Sequence, residues 1–254
     1  MTQNSSTAYV LYDNLFLRGT VTASTVAAGS HALHAVDWRT TTFWTASTAA
    51  TAQTYTVDLT LSMPADSVAL YRHNLGIAGA TVAVQSWSGS AWVTQLTLSG
   101  LTDNQCIYRR FNQVSATKWR LLITSSIPVF IGVILLGLSL HLPYGMPVGF
   151  VPPRHNRQTD IVSTKTEAGQ FVGQTVIKRG TESELTLQRV RPAWLRAYGE
   201  PFIQHAEKYP FIFSWKYVDY PDDAVFCRCT KSIPAMPYQD HGWQSLRIPI
   251  ECLP

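Results

Sequence analysis

The sequence is poor in charged residues, which make up 14% of its 254 positions, whereas about 25% is usual for a soluble domain. The charges that it has are evenly spread. Residues 1–141 hold seven Lys or Arg against five Asp or Glu, and residues 142–254 hold thirteen against eleven. A nucleic-acid-binding surface would need basic residues clustered along one stripe. The composition therefore argues against such a surface and favours one that packs against other protein.

Catalytic motifs are missing as well. The sequence contains no nucleophile elbow, Walker loop or zincin helix. Asp37 and Asp58 could serve a glycosidase only if their carboxyl groups lay about 5–9.5 Å apart across one cleft, and nothing in the sequence indicates this. His31 and His34 have a spacing that suits metal binding on a helix, but a loop is expected here. We therefore expect a protein that is not an enzyme and that holds no cofactor or metal.

No hydrophobic run is as long as a membrane span. The most apolar stretch, residues 127–145, has only about a dozen uninterrupted apolar or small residues, against the roughly 20 that a bilayer requires. Its residues alternate between two apolar sets, which favours a core strand buried on both faces over a span. Residues 1–6 have neither the basic nor the apolar region of a secretory leader. Assembly in the cytosol, without a membrane span, is therefore expected.

Cysteine is also scarce, with four residues. Cys106, Cys227, Cys229 and Cys252 are expected to be thiols in a cytosolic product. Cys227 and Cys229 lie two apart on a predicted strand, and Cys252 could lie on a neighbouring one. Because no Cys-x-x-Cys or finger-type His accompanies them, packing as small hydrophobic residues is favoured over a metal site.

What the first half does contain is a series of short alternating strands separated by Gly, Asn, Asp and Ser, which predicts an all-β sandwich over residues 1–142. The clearest strands are Thr54–Leu59, Ser67–Tyr71, Thr81–Ser86, Trp92–Leu98 and Lys118–Thr124. Ser88 to Ser90 is predicted to form a tight hairpin. A linker at 143–150, rich in Pro and Gly, ends the sandwich because Pro can continue neither a helix nor a central strand.

The order of several motifs in this half resembles the galactose-binding-like jelly roll of discoidin and many carbohydrate-binding modules. The matching pieces are Ala35-Val-Asp37 with Thr42-Phe-Trp-Thr-Ala-Ser47, Tyr55 to Leu59, Val82 to Trp92, Lys118-Trp-Arg-Leu121 and Ile131 to Gly137. In such modules, ligands bind at loops on one end of the sandwich. The resemblance implies a sugar site formed by aromatic and polar side chains, for which the candidates are Trp38, Trp44, His73, Asn74 and Trp87. The alternative is that these Trp residues belong to the core or to a protein interface and that His73 and Asn74 hold a turn.

The second half, residues 151–254, differs from the first in its pattern of polar and apolar residues. Residues 151–175 are polar and contain Gly169 and Gly173, which predicts an extended arm or hairpin. An alternating strand follows, with Leu185 and Leu187 on one face and Glu182, Glu184, Thr186 and Gln188 on the other. Pro192 is predicted to open the one helix, kinked by Pro201. Three strands after Pro210 complete a predicted α+β unit.

This half resembles the C-terminal part of minor tail proteins of long-tailed (siphovirus-type) phages. The matching residues are Leu136 to Gly145, Leu185-Thr-Leu187, Trp194-Leu195, Pro210 to Trp215 and Tyr220-Pro221. The resemblance implies a distal or minor tail protein with a split-barrel tail-tube domain, built into a ring at the virion tail tip. The resemblance implies as partners its own copies in a ring of six, the tail tube protein, the tail hub proteins and a host-surface glycan.

In such a ring DNA would pass through the tube. Glu182, Glu184, Thr186 and Gln188 would then line the lumen, because acidic or neutral side chains do not attract DNA as Lys and Arg do; an ordinary solvated sheet face is the alternative. The order of the two domains is the reverse of that in many distal tail proteins, so which ring the chain forms stays open. The alternative function is a free carbohydrate-binding module or lectin-like protein.

Overall fold

The computed structural model of the protein describes residues 8–49, 52–238 and 242–253. Residues 1–6, from which the absence of a leader is inferred, lie outside these ranges. The chain divides into two compact units, and each is described by itself below. One contains Tyr9–His141 together with Ile212–Ala224, and the other contains Leu142–Phe211 and Val225–Pro254.

Within the described residues, fourteen strands make up most of the regular structure. In the first part of the chain they are β1 (Tyr9–Leu11), β2 (Gly19–Ala23), β3 (Trp44–Thr45), β4 (Gln53–His73), β5 (Thr81–Trp87), β6 (Trp92–Leu98), β7 (Ile107–Thr124), β8 (Phe130–Gly137) and β9 (Leu140–His141). In the second part they are β10 (Arg157–Lys165), β11 (Phe171–Val190), β12 (Phe211–Ser214), β13 (Val225–Cys229) and β14 (Gln244–Leu253). The mainly β class predicted from the sequence is confirmed.

Most of the first unit is a sandwich formed by one sheet that bends around a hydrophobic core, whereas β1 pairs separately with β9 and β12. The strand order is β3-β8-β4-β7-β5-β6, and β2 pairs with β4. β4 and β7 are long strands with irregular register between Asp58 and Met63 and again between Ala65 and Ser67. Such irregularities bend a strand. Tyr55 and Val57, before the bend, therefore share one hydrophobic core with Val68 and Leu70, after it.

The segment that the sequence singles out as most apolar is a central strand of this sheet. β8 pairs with β3 on one side and with β4 on the other. Seven of its eight residues, Ile131 to Gly137, are buried. The predicted strand buried on both faces is therefore present, although it begins at Phe130. Among the described residues, no helix is both long and apolar enough to cross a membrane.

The first unit also contains a segment from the second half of the sequence. The sequence pattern predicts that Phe211–Tyr217 forms a trio of strands with the residues that follow, but Ile212, Phe213 and Ser214 pair with β1. Tyr217, a little further on, accepts a hydrogen bond from the backbone N–H of Arg110 at 3.0 Å. Sequence spacing could not reveal this pairing because β1 and β12 are some two hundred residues apart.

The second unit contains the pairs β10-β11, β11-β14 and β13-β14, all antiparallel. Its one long helical segment runs from Pro192 to Ala206 as two α-helical pieces, α1 (Pro192–Trp194) and α2 (Glu200–Ala206), joined by a π-helical turn over Leu195–Gly199. The predicted irregularity at Pro201 is thus a π-turn directly before the proline, which has no N–H for the regular helical ladder.

Candidate functional site

Trp44, one of the predicted sugar-binding residues, is a core residue. Its side chain has 0% exposure, its ring centroid lies 5.1 Å from that of Tyr55, and its indole N–H donates to the carbonyl of Thr25 at 3.0 Å. A side chain without exposed surface cannot stack on a ligand. The predicted role of Trp44 as a sugar platform is therefore wrong.

His73 and Asn74 are also structural. His73 is 3% exposed, and burial lowers its pKa to about 4, an effect opposed by a backbone hydrogen bond with Gln105 and by the charge of Asp103. The side chain of Asn74 accepts from the backbone N–H of Phe130 at 2.8 Å and donates to the carbonyl of Pro128 at 3.0 Å. These two bonds hold the start of β8 beside the end of β4. His73 and Asn74 therefore fit the alternative in which both residues stabilise a turn.

Trp87 is partly exposed but lies in a different part of the sandwich. It pairs with Trp92 across the β5–β6 hairpin, with ring centroids 5.3 Å apart. The Arg120 guanidinium lies 4.3 Å from the centroid of the Trp92 ring and donates to the side chain of Gln85 at 2.7 Å. In the sheet order, β7 lies between β5, which carries Trp87, and β4, which ends at His73. The structure therefore does not bring Trp87 together with the other candidates.

Trp38 lies in a strained loop. Its φ is +63°, a left-handed conformation that is rare for a bulky side chain. Asp37 holds this conformation by accepting hydrogen bonds from the backbone N–H of Arg39 at 2.9 Å and from the hydroxyl of Thr42 at 2.8 Å. The Trp38 side chain is half-buried. Strain of this kind is retained where surrounding contacts enforce it, and it is common at ligand sites.

The chain continues from this loop into Phe43, which belongs to a cluster that sequence reasoning missed. The ring centroids of Phe43 and Phe130 are 5.1 Å apart in an edge-to-face arrangement, and the Arg72 guanidinium carbon is 6.0 Å from the Phe43 centroid. Gly132 lies between them. A Cβ atom there would come within 3.0 Å of Arg72 Cβ and 3.2 Å of Phe43 Cε1. We refer to Phe43, Phe130 and Arg72 as the loop-end cluster.

The loop-end cluster is partly open to solvent. Arg72 is exposed, and Phe43 and Phe130 are half-buried. Arg72 has a φ of +55°, so it too adopts the left-handed conformation. The arrangement presents two aromatic edges and a guanidinium with its fork of N–H donors at one surface. These groups can contact the C–H face of a sugar and donate to its hydroxyl or carboxylate oxygens.

The predicted lumen face lies on β11 in the second unit. Glu182, Glu184 and Gln188 are exposed and Thr186 is half-buried, whereas Leu185 and Leu187 are buried at 0% and 1% exposure. The predicted alternation is therefore present. Arg247 lies opposite Thr186, and Glu251, opposite Glu182, pairs with Arg228 at 2.7 Å. The face is consequently mixed in charge rather than uniformly acidic.

Within the described residues, no group of three or more His, Cys, Asp or Glu could hold a metal ion.

Comparison with known proteins finds matches among solved structures only. No protein-family model and no curated protein matches the chain. Chitosan-binding module 1 of a chitosanase/glucanase from Paenibacillus sp. IK-5 is 25% identical, covers 49% of this chain and 98% of its own, and gives a TM-score of 0.42.

Two further matches are more distant in sequence. A Clostridium perfringens module, CpGH89CBM32-5, in complex with GalNAc-beta-1,3-galactose, is 12% identical over 50% of this chain and 99% of its own, with a TM-score of 0.43. A Ruminococcus gnavus GH29 fucosidase in complex with fucose is 15% identical over 50% of this chain and 27% of its own, also with a TM-score of 0.43. Since each score is below 0.5, these similarities do not identify a ligand for this chain.

Proposed function

We propose that this protein is a structural component of a phage tail tip, a distal or minor tail protein, whose jelly-roll unit binds a host-surface glycan. Its copies would form a ring of six that joins the tail tube to the hub proteins and lets DNA pass. Two separate features support the proposal: the loop-end cluster for glycan binding and an exposed hairpin for assembly.

The loop-end cluster carries the glycan-binding part. Phe43 and Phe130 supply apolar surface, and Arg72 supplies directional donors, which is the combination that recognises a sugar's apolar face and its hydroxyl groups. Two contacts preorganise the surface. The Asn74 side chain accepts a hydrogen bond from the Phe130 backbone N–H at 2.8 Å, and the absence of a side chain at Gly132 lets Phe43 and Arg72 approach each other. Trp38 lies in the loop that leads to Phe43 and that the Asp37–Thr42 hydrogen bond closes. Its side chain would extend this surface.

The test is glycan-array binding by the full-length chain. Arg72→Ala and Phe43→Ala should each reduce binding at least about tenfold, because each removes one of the few side chains that contact the sugar. Trp92→Ala is the matched control, since it removes a comparable aromatic side chain from another part of the sandwich. Equal loss in all three folded variants, or binding unchanged by Arg72→Ala and Phe43→Ala, would contradict this site. A weak single site is compatible with the role because display on a ring can raise avidity by about 10² to 10⁴.

The hairpin formed by β10 and β11 carries the assembly part. β14 pairs with β11 only from Thr181 onward, so residues 171–180 of β11 pair with β10 alone. A lone two-stranded ribbon is at best marginally stable in water. Apolar side chains along it are nevertheless exposed: Ile161 50%, Val162 51%, Phe171 65%, Val172 62%, Val176 39% and Ile177 68%. A neighbouring copy of this chain is the partner that would cover them in a ring.

Light scattering tests this role. Deleting residues 159–179 and joining the ends with a two-residue turn should shift the full-length assembly toward monomer. A milder variant, Ile161→Ser with Phe171→Ser, should do the same without altering the backbone. Thr159→Ser with Thr164→Ser, exposed polar positions on β10, is the control. If deletion and control assemble equally, the hairpin does not hold the ring together. A chain that stays monomeric yet binds glycan would favour the alternative of a free, lectin-like module.

The lumen assignment remains part of the proposal. Glu182 and Glu184 are exposed on β11, and Lys at these positions would attract the passing DNA through counterion release. Glu182→Lys with Glu184→Lys should leave folding intact and slow DNA delivery from assembled particles. The uncharged control is Glu182→Gln with Glu184→Gln. Unchanged delivery with the Lys variant would mean that this face is an ordinary solvated surface.

A further inference from the structure

Two of the four cysteines face each other across neighbouring strands of the second unit. Cys227 in β13 and Cys252 in β14 are direct partners in the antiparallel ladder. Their Sγ atoms lie 2.9 Å apart, and both residues are buried, with 0% and 1% exposure. All four cysteines are thiols in this structure. Sequence analysis could place Cys252 on a strand near Cys227, but it could not give the register that sets them opposite each other.

The backbone at this pair suits a covalent bond. Directly opposed residues of antiparallel strands have Cα atoms about 4.5–5.5 Å apart, and disulfides span about 4.4–6.8 Å between Cα atoms. The two sulfur atoms, now 2.9 Å apart, would have to approach by less than about 1 Å to reach the bond length of about 2.05 Å. The finished bond therefore fits between the strands in their present register, although glutathione disulfide can reach the buried sulfur atoms only when this edge of the sheet opens transiently.

The neighbouring cysteine on the same strand is placed differently. The Sγ atom of Cys229 lies 3.0 Å from the carbonyl oxygen of Lys231, and its partner in the ladder is Ile250. No thiol therefore faces Cys229 across the strand. This contrast makes Cys229 a natural control for any chemistry assigned to the buried pair.

We propose that Cys227 and Cys252 form a cross-strand disulfide when the protein meets an oxidising thiol buffer. The co-reactant is a small-molecule disulfide such as glutathione disulfide. One cysteine thiolate attacks it, forming a mixed disulfide and releasing one glutathione thiolate; the second cysteine thiolate then attacks the protein sulfur of the mixed disulfide and releases the other. Two protein thiols are oxidised, one glutathione disulfide is reduced to two glutathione molecules, and the two protons go to the released thiolates.

The bond would fasten β14 to β13 and close a loop between residues that are 25 apart in the chain. Closing such a loop restricts the unfolded chain and so stabilises the folded state. Under the proposed function, the chain would fold in a reducing cytoplasm and act outside the cell, so the bond would form after release. That timing rests on the proposed function, whereas the bond itself depends only on the geometry of the pair.

The experiment uses the full-length chain, purified in reductant and then equilibrated with glutathione mixtures of increasing oxidised fraction. We expect the intact mass to fall by about 2 Da as two hydrogens are lost, and a proteolytic map without reductant to join the peptides containing Cys227 and Cys252. The melting temperature of the second unit should rise by at least about 5 °C and return to its starting value when dithiothreitol is added.

Matched variants identify the sulfur atoms that react. Cys229→Ser should keep both the mass change and the thermal shift, whereas Cys227→Ser and Cys252→Ser should lose both. If a Ser variant fails to fold, the peptide map of the unaltered chain decides. Four titratable thiols after equilibration at the most oxidising ratio, or linkage through Cys106, Cys229 or a second chain, would overturn the proposal. A failure here would leave glycan binding and assembly untouched, since neither test involves these residues.

Discussion

A methyl group on Gly132 would lie 3.0 Å from the Cβ atom of Arg72. Both atoms are attached directly to strand backbone, so neither can rotate away. Gly132→Ala should therefore destabilise the first unit by roughly 1–3 kcal/mol, the usual cost of overpacking, and should weaken glycan binding by displacing Arg72. Urea unfolding of the full-length chain measures the first effect and array binding the second.

Gly145→Ala is the control for this prediction. A Cβ at Gly145 meets nothing within 4 Å, and surface changes of this kind usually stay within about 0.5 kcal/mol. Equal stability of the two variants would mean that β4 and β8 separate more easily than the structure indicates.

The loop-end cluster also shows how far sequence reasoning could reach. The resemblance indicates Thr42 to Ser47 and His73-Asn74, the stretches beside Phe43 and Arg72 of the proposed site, but the side chains that it selects there are buried. Side chains alternate along a strand, so Phe43 faces outward beside the buried Trp44, and Arg72 does so beside the buried His73. A Trp and a His are more conspicuous in a sequence than a Phe and an Arg. Which of two adjacent side chains reaches the surface depends on which one is buried, and burial depends on the fold.

The strands themselves were easier to predict than their connections. Alternation identifies β5, β6 and the second half of β11, because one face of each is apolar. It divided β4 into Thr54–Leu59 and Ser67–Tyr71, since the polar residues at the bend interrupt the pattern. The pairing of β12 with β1 could not be predicted, because local periodicity carries no information about which distant strand lies alongside.

A buried ion pair should stabilise the first unit more than an exposed one. Asp66 is bonded to Arg110 at 2.7 Å and accepts from the backbone N–H of Ser139 at 2.8 Å, and its side chain is 10% exposed. Asp66→Ala would leave Arg110 and the Ser139 N–H without this acceptor. We expect a loss of about 3 kcal/mol, as is typical when one partner of a buried pair is removed.

Asp58→Ala is the matched control for this pair. The Asp58–Lys118 bridge is exposed, with side-chain exposures of 51% and 41%, so its loss should cost less than about 1 kcal/mol. Denaturant unfolding in low and high salt measures both variants. If the two variants lose equal stability, the network around Asp66 does not hold the unit together.

Acid should destabilise the first unit through His73. Burial lowers the pKa of His73 from 6.5 to about 4 in the folded state. Between these values the unfolded chain binds the proton and the folded chain does not, so stability rises with pH in this window and is lost on acidification from pH 6.5 towards 4. The contribution is up to about 3 kcal/mol.

His73→Asn tests the assignment, because Asn can still accept from the Leu75 N–H that now bonds to His73 Nδ1 at 3.3 Å, but it does not titrate. Unfolding free energies measured every half unit of pH should show a flatter dependence between pH 4 and 6.5 in the variant than in the unaltered chain. Parallel curves would mean that other groups cause the acid sensitivity.

The last prediction concerns residues 212–224, which belong to the first unit although they lie between two segments of the second in sequence. Within that unit, Arg109 donates to the carbonyl of Pro221 at 3.1 Å and pairs with Asp222, and the Tyr217 ring lies edge-on to Tyr108 at 5.4 Å. A fragment ending at residue 142 lacks all of these contacts as well as the strand paired with β1. It should therefore melt at a lower temperature than the same fragment joined to residues 210–224 by a flexible linker, and should bind more of a hydrophobic dye.

Tyr217→Phe in the joined fragment removes only the hydroxyl that accepts from Arg110 and should cost about 1 kcal/mol. Equal melting of the short and joined fragments would show that the sandwich is complete without this segment.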